Sequence, residues 1–269
     1  MRLAVVAVAA LVLASPAAAK TKTAQHDGVR ATVTWQPGPA GTATNVRLRI
    51  VRSGHAVVSA KLGLSAPQAI RVRDLDGDGE PEVILDVYTG GAHCCFRSRI
   101  YRFAGSSYVS RLFDFGNAGY KLRDPNGDGR PEFLTADNAF AYAFTDYADS
   151  ALPIRILSYR AGRMTNATRQ FPALIRTDAS RLWKAFLTGR DFEHPDSRGI
   201  LAAWMADQYL LGIQAAGWRT MAKLNAHGEL AGRPGDTVWP KNGAYLASLK
   251  KFLVKDGYAG KNRGLASGS

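Results

Sequence analysis

The sequence has too few cysteines for a disulfide scaffold, since its 269 residues include only Cys94 and Cys95. Small secreted domains without a large core depend on several disulfides, so this chain must be held together by a hydrophobic core instead. Its apolar content of 46% is sufficient for such a core, and a charged content of 21% excludes wholesale disorder. The length allows one or two domains.

The sequence also lacks an apolar run of about 20 residues, the length that a membrane-spanning helix needs. The apolar run from Leu3 to Ala14 follows Arg2 and precedes the small residues Ala17 to Ala19. This order of a positive charge, an apolar stretch and small residues is typical of a secretory signal peptide. We therefore expect residues 1–19 to be removed. The remaining chain is expected in the extracellular space or the periplasm, with no integral membrane segment.

Recognisable catalytic motifs are missing as well. The chain contains no nucleophile elbow, no His-Glu-x-x-His pair and no phosphate-binding loop. We therefore predict no catalytic residue and leave enzymatic activity open, although we favour a protein that is not an enzyme.

Acidic residues are outnumbered, with 22 Asp and Glu against 35 Lys and Arg and a net charge of +13. The basic residues are spread along the chain without a run of five or six like charges, and no nucleic-acid recognition motif is present. Nucleic acid is therefore not an expected partner. The excess of Arg in the first half indicates either a solvated outer face of a sheet or attraction to an anionic glycan or protein at the cell surface.

Two segments, 71–85 and 121–135, are near-copies of each other, and their first aspartates, Asp74 and Asp124, lie 50 residues apart. Each copy is followed by alternating apolar and polar residues, which predict β-strands with one buried face. A period of this length is typical of repeat architectures. We interpret residues 29–171 as three strand-rich units, the first of them degenerate, that form an antiparallel propeller-like array, an open sheet or a sandwich.

The pattern becomes helical after Phe171-Pro172. Helical spacing of apolar residues predicts helices capped by Asp178, by Asp196 or Ser197, and by Asn242. The predicted fold class is therefore α+β. The predicted divisions are a signal peptide over 1–19, a β-repeat domain over 20–171, a small helical subdomain over 172–260 and a flexible tail over 261–269.

Both copies contain closely spaced oxygen donors that suit a hard cation such as Ca²⁺. Carboxylates packed this closely repel one another unless a cation compensates their charge. Neither loop is an EF-hand, because position 12 is Leu85 in one and Thr135 in the other. The alternative is a pair of Asx-rich turns that bind nothing.

The spacing Asp-x-(Asp/Asn)-Gly-Asp-Gly-x-Pro-Glu, repeated between strands, resembles the calcium loops of FG-GAP and VCBS repeats in integrin α-chains and secreted bacterial proteins. The resemblance implies two Ca²⁺ sites. The ligands of the first would be Asp74, Asp76, Asp78, Glu82 and the Glu80 carbonyl. Those of the second would be Asp124, Asn126, Asp128, Glu132 and the Arg130 carbonyl. The implied role of the calcium is structural.

Cys94 and Cys95 are adjacent and follow Gly90-Gly91-Ala92-His93. A trans peptide places neighbouring Cα atoms about 3.8 Å apart, below the usual disulfide range of about 4.4–6.8 Å, so a bond between them would close a strained ring. The alternatives are two packed thiols and pairing between molecules. His93 is interpreted as a turn residue.

These observations favour a secreted, calcium-binding β-repeat protein that serves as a binding, adhesion or cell-envelope module. The alternative is a secreted polysaccharide hydrolase or lyase that uses the repeats as a scaffold. A cleft with converging acidic and basic residues would distinguish the two, and the sequence indicates none.

Overall fold

The computed structural model describes residues 18–63, 66–90, 94–189 and 196–260. Within these ranges, twelve strands precede four helices, which confirms the predicted α+β class. The strands are β1 (Lys20–His26), β2 (Val29–Pro37), β3 (Ala43–Arg52), β4 (His55–Lys61), β5 (Pro67–Arg73), β6 (Glu82–Tyr88), β7 (Phe96–Phe103), β8 (Tyr108–Asp114), β9 (Lys121–Arg123), β10 (Glu132–Ala136), β11 (Ile154–Arg160) and β12 (Arg163–Asn166). The helices are α1 (Pro172–Gly189), α2 (Ser197–Leu210), α3 (Gln214–Ala226) and α4 (Asn242–Lys255). The predictions for residues 1–17, for His93 and for the tail 261–269 lie outside the described residues.

The strands form three antiparallel sheets of four strands each, and none of the sheets closes into a barrel. Sheet 1 has the order β1-β2-β3-β4, sheet 2 the order β5-β6-β7-β8 and sheet 3 the order β12-β11-β10-β9. Three strand-rich units are therefore present as predicted, but the first begins with β1 at Lys20, before the predicted start at residue 29. The first lacks an acidic loop but has four strands like the others.

The sheets pack in layers because successive residues of a strand point to opposite faces. In β6, Val83 and Leu85 belong to the core shared with sheet 1, whereas Ile84 belongs to the core shared with sheet 3. Sheet 3 contributes Phe133 and Leu157 to that second core. A central strand that is buried on both faces explains why three successive residues of β6, Val83 to Leu85, are apolar.

The other face of sheet 3 packs against the start of α1, where Ile156 contacts the cluster around Phe171. Helix α1 begins at Pro172, whose fixed φ suits the first helical position, so the predicted cap at Asp178 was wrong. Asp178 instead accepts a hydrogen bond from the Ile154 N–H at 2.9 Å. Its carboxylate therefore joins α1 to the first residue of β11.

Asp196 caps α2 as predicted, because its side chain accepts a hydrogen bond from the Arg198 N–H. Helix α4 begins at Asn242, but the residue in the cap position is Lys241. Among the described residues, no helix is both long and apolar enough to cross a membrane.

The helical core takes in aromatic residues from the loop between β10 and β11. Phe140 and Phe144 are buried among the helices, and both rings contact Phe252 of α4 edge to face. The aromatic loop thus folds inward, although Tyr142 is half exposed. The loop that joins β10 to β11 therefore contributes to the core of the helical part.

Arg198 is a fully buried cation in the middle of the helical part. It forms ion pairs with Asp196 and Asp236 and donates hydrogen bonds to the carbonyl oxygens of Trp239 and Pro240 at 3.2 and 2.9 Å. Two carboxylates and two carbonyls satisfy the guanidinium, so its burial is compensated. The side-chain hydrogen bonds to both aspartates raise the pKa of Arg198 further.

Candidate metal centre

The first acidic loop joins β5 to β6 and is shaped by its own aspartates. Asp74 Oδ1 accepts a hydrogen bond from the Gly77 N–H at 2.7 Å, and Asp74 Oδ2 accepts one from the Gly79 N–H at 2.9 Å. Gly77 and Gly79 have φ angles of 76° and 82°, a region that glycine enters without steric cost. The Asp-x-Asp-Gly-Asp-Gly pattern thus folds into a tight turn that brings its carboxylates to one side.

One carboxylate oxygen from each of Asp74, Asp76 and Asp78 lies within 4.8 Å of the other two. Glu82 lies beside this cluster and is fully buried. Its Oε2 accepts a hydrogen bond from the Leu75 N–H at 2.9 Å, while its Oε1 is buried without a hydrogen-bond partner. Asp76 Oδ1 is also buried and without a partner.

The pKa of Glu82 reflects its burial and the nearby aspartates. Burial raises the pKa of Glu82 to about 8, and the charges of Asp76, Asp78 and Asp74 raise it in the same direction. Carboxyl groups that lie this close repel each other unless positive charge is supplied. Hard oxygen donors of this kind fit Ca²⁺, which accepts carboxylate and carbonyl ligands in irregular geometry.

The first loop is also the point at which all three sheets meet. Asp76 Oδ2 accepts a hydrogen bond from the Ala161 N–H, in the turn between β11 and β12, at 2.7 Å. The side chain of Glu80 forms an ion pair with Arg52 at the end of β3, with Arg52 Nε 3.0 Å from Glu80 Oε2. Arg52 also lies over the ring of Phe103, 4.3 Å from its centroid. The loop between β5 and β6 therefore contacts sheet 3 through Asp76 and sheet 1 through Glu80.

The second acidic loop, between β9 and β10, repeats the backbone hydrogen bonds of the first. Asp124 Oδ2 accepts from the Gly129 N–H at 2.8 Å, and Asp128 Oδ1 accepts from the Arg130 N–H at 2.9 Å. The hydrogen bond from Arg130 holds the pKa of Asp128 below its usual value. Glu132 is buried, and burial raises its pKa; its Oε1 accepts a hydrogen bond from Ser158, while its Oε2 has no partner.

The two loops differ in their carboxylates. Asn126 takes the place that Asp76 has in the first loop, and its amide donates a hydrogen bond to Asp128 Oδ2 at 3.2 Å. Of the acidic clusters in the described residues, only that of the first loop brings three carboxylates within 4.8 Å. Both loops have the turn that an Asx-rich sequence forms without metal, and each has a buried glutamate oxygen without a partner; the first has in addition the unpartnered Asp76 Oδ1 and the three clustered carboxylates.

The structure pairs Cys94 with Cys95 in a disulfide at the start of β7. Cys94 is exposed and Cys95 is buried. Cys95 is held to Thr89, since its N–H donates to Thr89 Oγ1 at 2.9 Å and its carbonyl accepts from the Thr89 N–H at 3.1 Å. The cysteine pair lies in the connection from β6 to β7, apart from the acidic loops.

A buried polar cluster around Asp86 was not predicted from the sequence. Asp86 lies in β6 with no exposed surface, and it accepts hydrogen bonds from Ser98, from Tyr120 at 2.7 Å and from Arg71. A lone Asp within an apolar strand signal is the only hint that the sequence contains. The cluster joins sheets 2 and 3 through polar groups at the side where β5 and β9 form the edges.

Comparison with known proteins places the chain in a different family from the one that its loops resemble. The family model described as "sll0997 C-terminal domain" matches residues 175–257, which are the four helices and the segments between them. "Probable thylakoid lumen protein sll0997" of Synechocystis sp. is 30% identical over 254 residues, which cover 87% of this chain and 70% of that protein. "Uncharacterized protein y4bJ" of Sinorhizobium fredii is 31% identical over 148 residues, which cover 52% of this chain and 22% of that protein. No solved structure matches the chain.

The predicted kinship with FG-GAP and VCBS repeats was therefore wrong, since no model of those families matches. The resemblance rested on two nine-residue loops. An Asp-rich turn with glycine at position 6 is a local solution to joining two strands, and its hydrogen bonds do not depend on the architecture around it. The two loops show only that the chain forms this kind of turn. The family is shown by the similarity over most of the chain.

Proposed function

Because the chain belongs to the family of the thylakoid lumen protein sll0997, we propose that it is a calcium-stabilised binding module that works outside the cytoplasm. The calcium is proposed for the loop between β5 and β6. One observation carries the proposal: Glu82, which is fully buried, has an unpartnered oxygen next to three aspartates whose carboxylates lie within 4.8 Å of one another.

The location outside the cytoplasm is confirmed by this kinship, since the relative from Synechocystis is named as a probable thylakoid lumen protein. It also bears on the metal. Extracellular modules bind calcium with dissociation constants of about 10⁻⁴–10⁻³ M, so a modest site is sufficient in such a compartment.

The donors of the first loop support calcium rather than a transition metal. The candidate ligands Asp74, Asp76, Asp78 and Glu82 offer only oxygen, and none of them is a histidine or a cysteine. Carboxylates suit hard cations, and a flexible loop accommodates the larger Ca²⁺ better than Mg²⁺, which demands a near-ideal octahedron. The Glu80 carbonyl remains a proposed fifth ligand.

The role proposed for the ion is structural. The Asp76–Ala161 hydrogen bond and the Arg52–Glu80 ion pair anchor sheets 3 and 1 to this loop. A cation that fixes the loop would therefore stabilise the packing of all three sheets. The second loop, with Asn126 in place of an aspartate, is proposed as a weaker calcium site whose ligands are Asp124, Asn126, Asp128, Glu132 and the Arg130 carbonyl.

Calorimetric titration of the metal-free protein with calcium and with magnesium tests the proposal directly. We expect a site that prefers calcium, together with a rise in melting temperature when calcium is added. Ligand at a hundred times its dissociation constant stabilises the folded state by about 2.7 kcal/mol.

Glu82→Gln supplies the matched variant, because it keeps the size of the side chain and its hydrogen bond to Leu75 but removes the charge. It should abolish the calcium-dependent shift, whereas Asp27→Asn, an exposed change outside the loops, should leave it unchanged. If calcium neither binds nor stabilises the protein, the loops are Asx-rich turns and the proposal is rejected.

A further inference from the structure

The first strands of the three sheets, β1, β5 and β9, are all edge strands. They lie on the same side of the stacked sheets, because Lys22 of β1 donates a hydrogen bond to the Gln68 carbonyl of β5, and residues of β5 and β9 line one groove. Each edge strand leaves one row of backbone groups without a partner strand. We call the surface between β5 and β9 the edge groove.

The edge groove is basic. Its charged lining residues are Arg71 and Arg73 of β5 together with Lys121 and Arg123 of β9, and all four side chains are exposed. Alternate residues of a strand lie about 6.7 Å apart on one side, so each strand presents two cations at this spacing. No carboxylate is among the described residues that line the groove.

Three of these four cations have no ion-pair partner among the described residues. Arg71 is bound to the buried Asp86, but Arg73, Lys121 and Arg123 form no salt bridge there. The acidic loops begin directly after Arg73 and Arg123, and Glu82 and Glu132 at the ends of these loops are buried. Calcium in those loops would reduce their negative charge and leave the groove more positive.

We propose that the edge groove binds an acidic polysaccharide through sulfate or carboxylate groups. Two strands that each carry cations at a regular spacing suit a linear chain with repeated charges better than one small anion. Arginine contacts such anionic groups through a fork of two hydrogen bonds. The inference deepens the proposed binding role and does not depend on the calcium site.

Acidic polysaccharides are favoured over nucleic acids by the compartment and by the lack of aromatic rings for base stacking. Stacking platforms are the usual means of binding single-stranded nucleic acid. Tyr120, the aromatic residue of the groove, is engaged by the rings of Phe115 and Phe133, with centroids 4.5 and 4.7 Å away. Its ring is therefore part of the core between the sheets.

The test compares immobilised dextran sulfate, carboxymethyl dextran and neutral dextran, which share one backbone. We expect the full chain to bind the two charged forms, to ignore the neutral form and to lose affinity as salt is added. The triple variant Arg73→Gln, Lys121→Gln, Arg123→Gln should weaken binding about tenfold, since each exposed charge contact contributes a fraction of a kcal/mol. Arg71 is left intact because it compensates the buried Asp86.

The matched control is the triple variant Arg219→Gln, Lys250→Gln, Lys251→Gln, which removes the same charge from exposed positions on α3 and α4. If both triple variants lose affinity equally, net charge alone drives binding and the proposal is overturned. Should the groove variant not fold, the single variants Arg73→Gln and Arg123→Gln, each expected to weaken binding about twofold, replace it.

Two further competitors decide the class of the ligand. Polyglutamate and a single-stranded oligonucleotide should displace dextran sulfate only weakly, and tighter binding of either would overturn the assignment to a polysaccharide. Each titration is made with calcium and with chelator. The ratio of the affinities of the two triple variants for dextran sulfate tests the groove in both conditions. The test of the groove is therefore valid even if the protein binds no calcium.

Discussion

Asp76 and Ala161 are 85 residues apart in sequence, yet the Ala161 N–H donates a hydrogen bond of 2.7 Å to Asp76 Oδ2. The other oxygen of the same carboxylate is buried and has no partner. One side chain thus joins sheet 2 to sheet 3 through one oxygen and leaves the second free for a cation. Removing the charge while keeping the hydrogen-bond acceptor separates the two roles.

Asp76→Asn should lower the melting temperature in calcium and hardly change it in chelator, because the amide oxygen still accepts the bond from Ala161. Differential scanning calorimetry in both conditions measures the effect. Asp76→Ala should also lose stability in chelator, by about 1 kcal/mol for the lost hydrogen bond. Equal losses in both conditions for the Asn variant would contradict metal ligation by Asp76.

Asn126→Asp should strengthen calcium binding at the second loop, because it supplies the carboxylate that the first loop has at the matching position. The variant should raise the calcium-dependent stabilisation above that of the unmodified protein in a thermal melt. Without calcium it should be slightly destabilising, because a further negative charge joins Asp124 and Asp128. A variant that is destabilised to the same extent with and without calcium would show that the second loop takes no ion.

Native protein should not react with a thiol reagent until it is reduced, since Cys94 and Cys95 are joined. Mass spectrometry after alkylation, with and without a reductant, measures this. Reduction should expose Cys94 to the reagent first, because Cys95 is buried against Thr89. Prompt labelling of untreated protein would mean two free thiols.

Arg198→Met should destabilise the helical part by about 3–5 kcal/mol, because it leaves the buried carboxylate of Asp196 without its counter-charge. Arg198→Lys should recover only part of this loss, since an ammonium cannot reach two carboxylates and two carbonyls in one plane. Urea unfolding gives both values. Arg219→Met, an exposed change on α3, should stay within about 0.5 kcal/mol of the unmodified protein.

Asp207→Asn should stabilise the protein at pH 8 and have little effect at pH 4. Burial raises the pKa of Asp207 to about 9, and the neighbouring Asp178 carboxylate adds to the rise. The folded state therefore keeps this proton while the unfolded state loses it above about pH 4, so stability falls as pH rises from about 4 to about 9. Urea unfolding at several pH values should show the gap between variant and parent widening with pH, and a constant gap would contradict the assignment.

The local turns and the alternation of the strands were readable from the sequence. The two near-copies predicted strand, acidic turn and strand, and the structure has β5 and β6 around one loop and β9 and β10 around the other. What the sequence could not provide was the partner of each loop. Arg52 pairs with Glu80 and Ala161 with Asp76 only because three sheets stack, and no local pattern records such long-range contacts.

The helix starts show the same limit. The prediction that Asp196 caps a helix is correct because its role is local, whereas the prediction for Asp178 is wrong because its partner is the backbone of Ile154 in sheet 3. The predicted family is wrong for the same reason, since an Asp-rich turn can join strands in many architectures and does not identify one family. The excess of arginine in the first half is visible in the composition, but the groove depends on the stacking of sheets 2 and 3. The sequence also leaves the pairing of Cys94 with Cys95 open, and the structure decides it.

The inward fold of the segment between β10 and β11 restricts how this protein can be recombined with its relatives. Phe140 and Phe144 leave the β part and fill the interior of the helical part, against Phe252 and Tyr245. In a chimera joined at Pro172, the helices of another protein would have to pack against Phe140 and Phe144, which fit the helices of this chain. A graft that also carries residues 138–152 would transfer the helices together with the aromatic residues that fill their core.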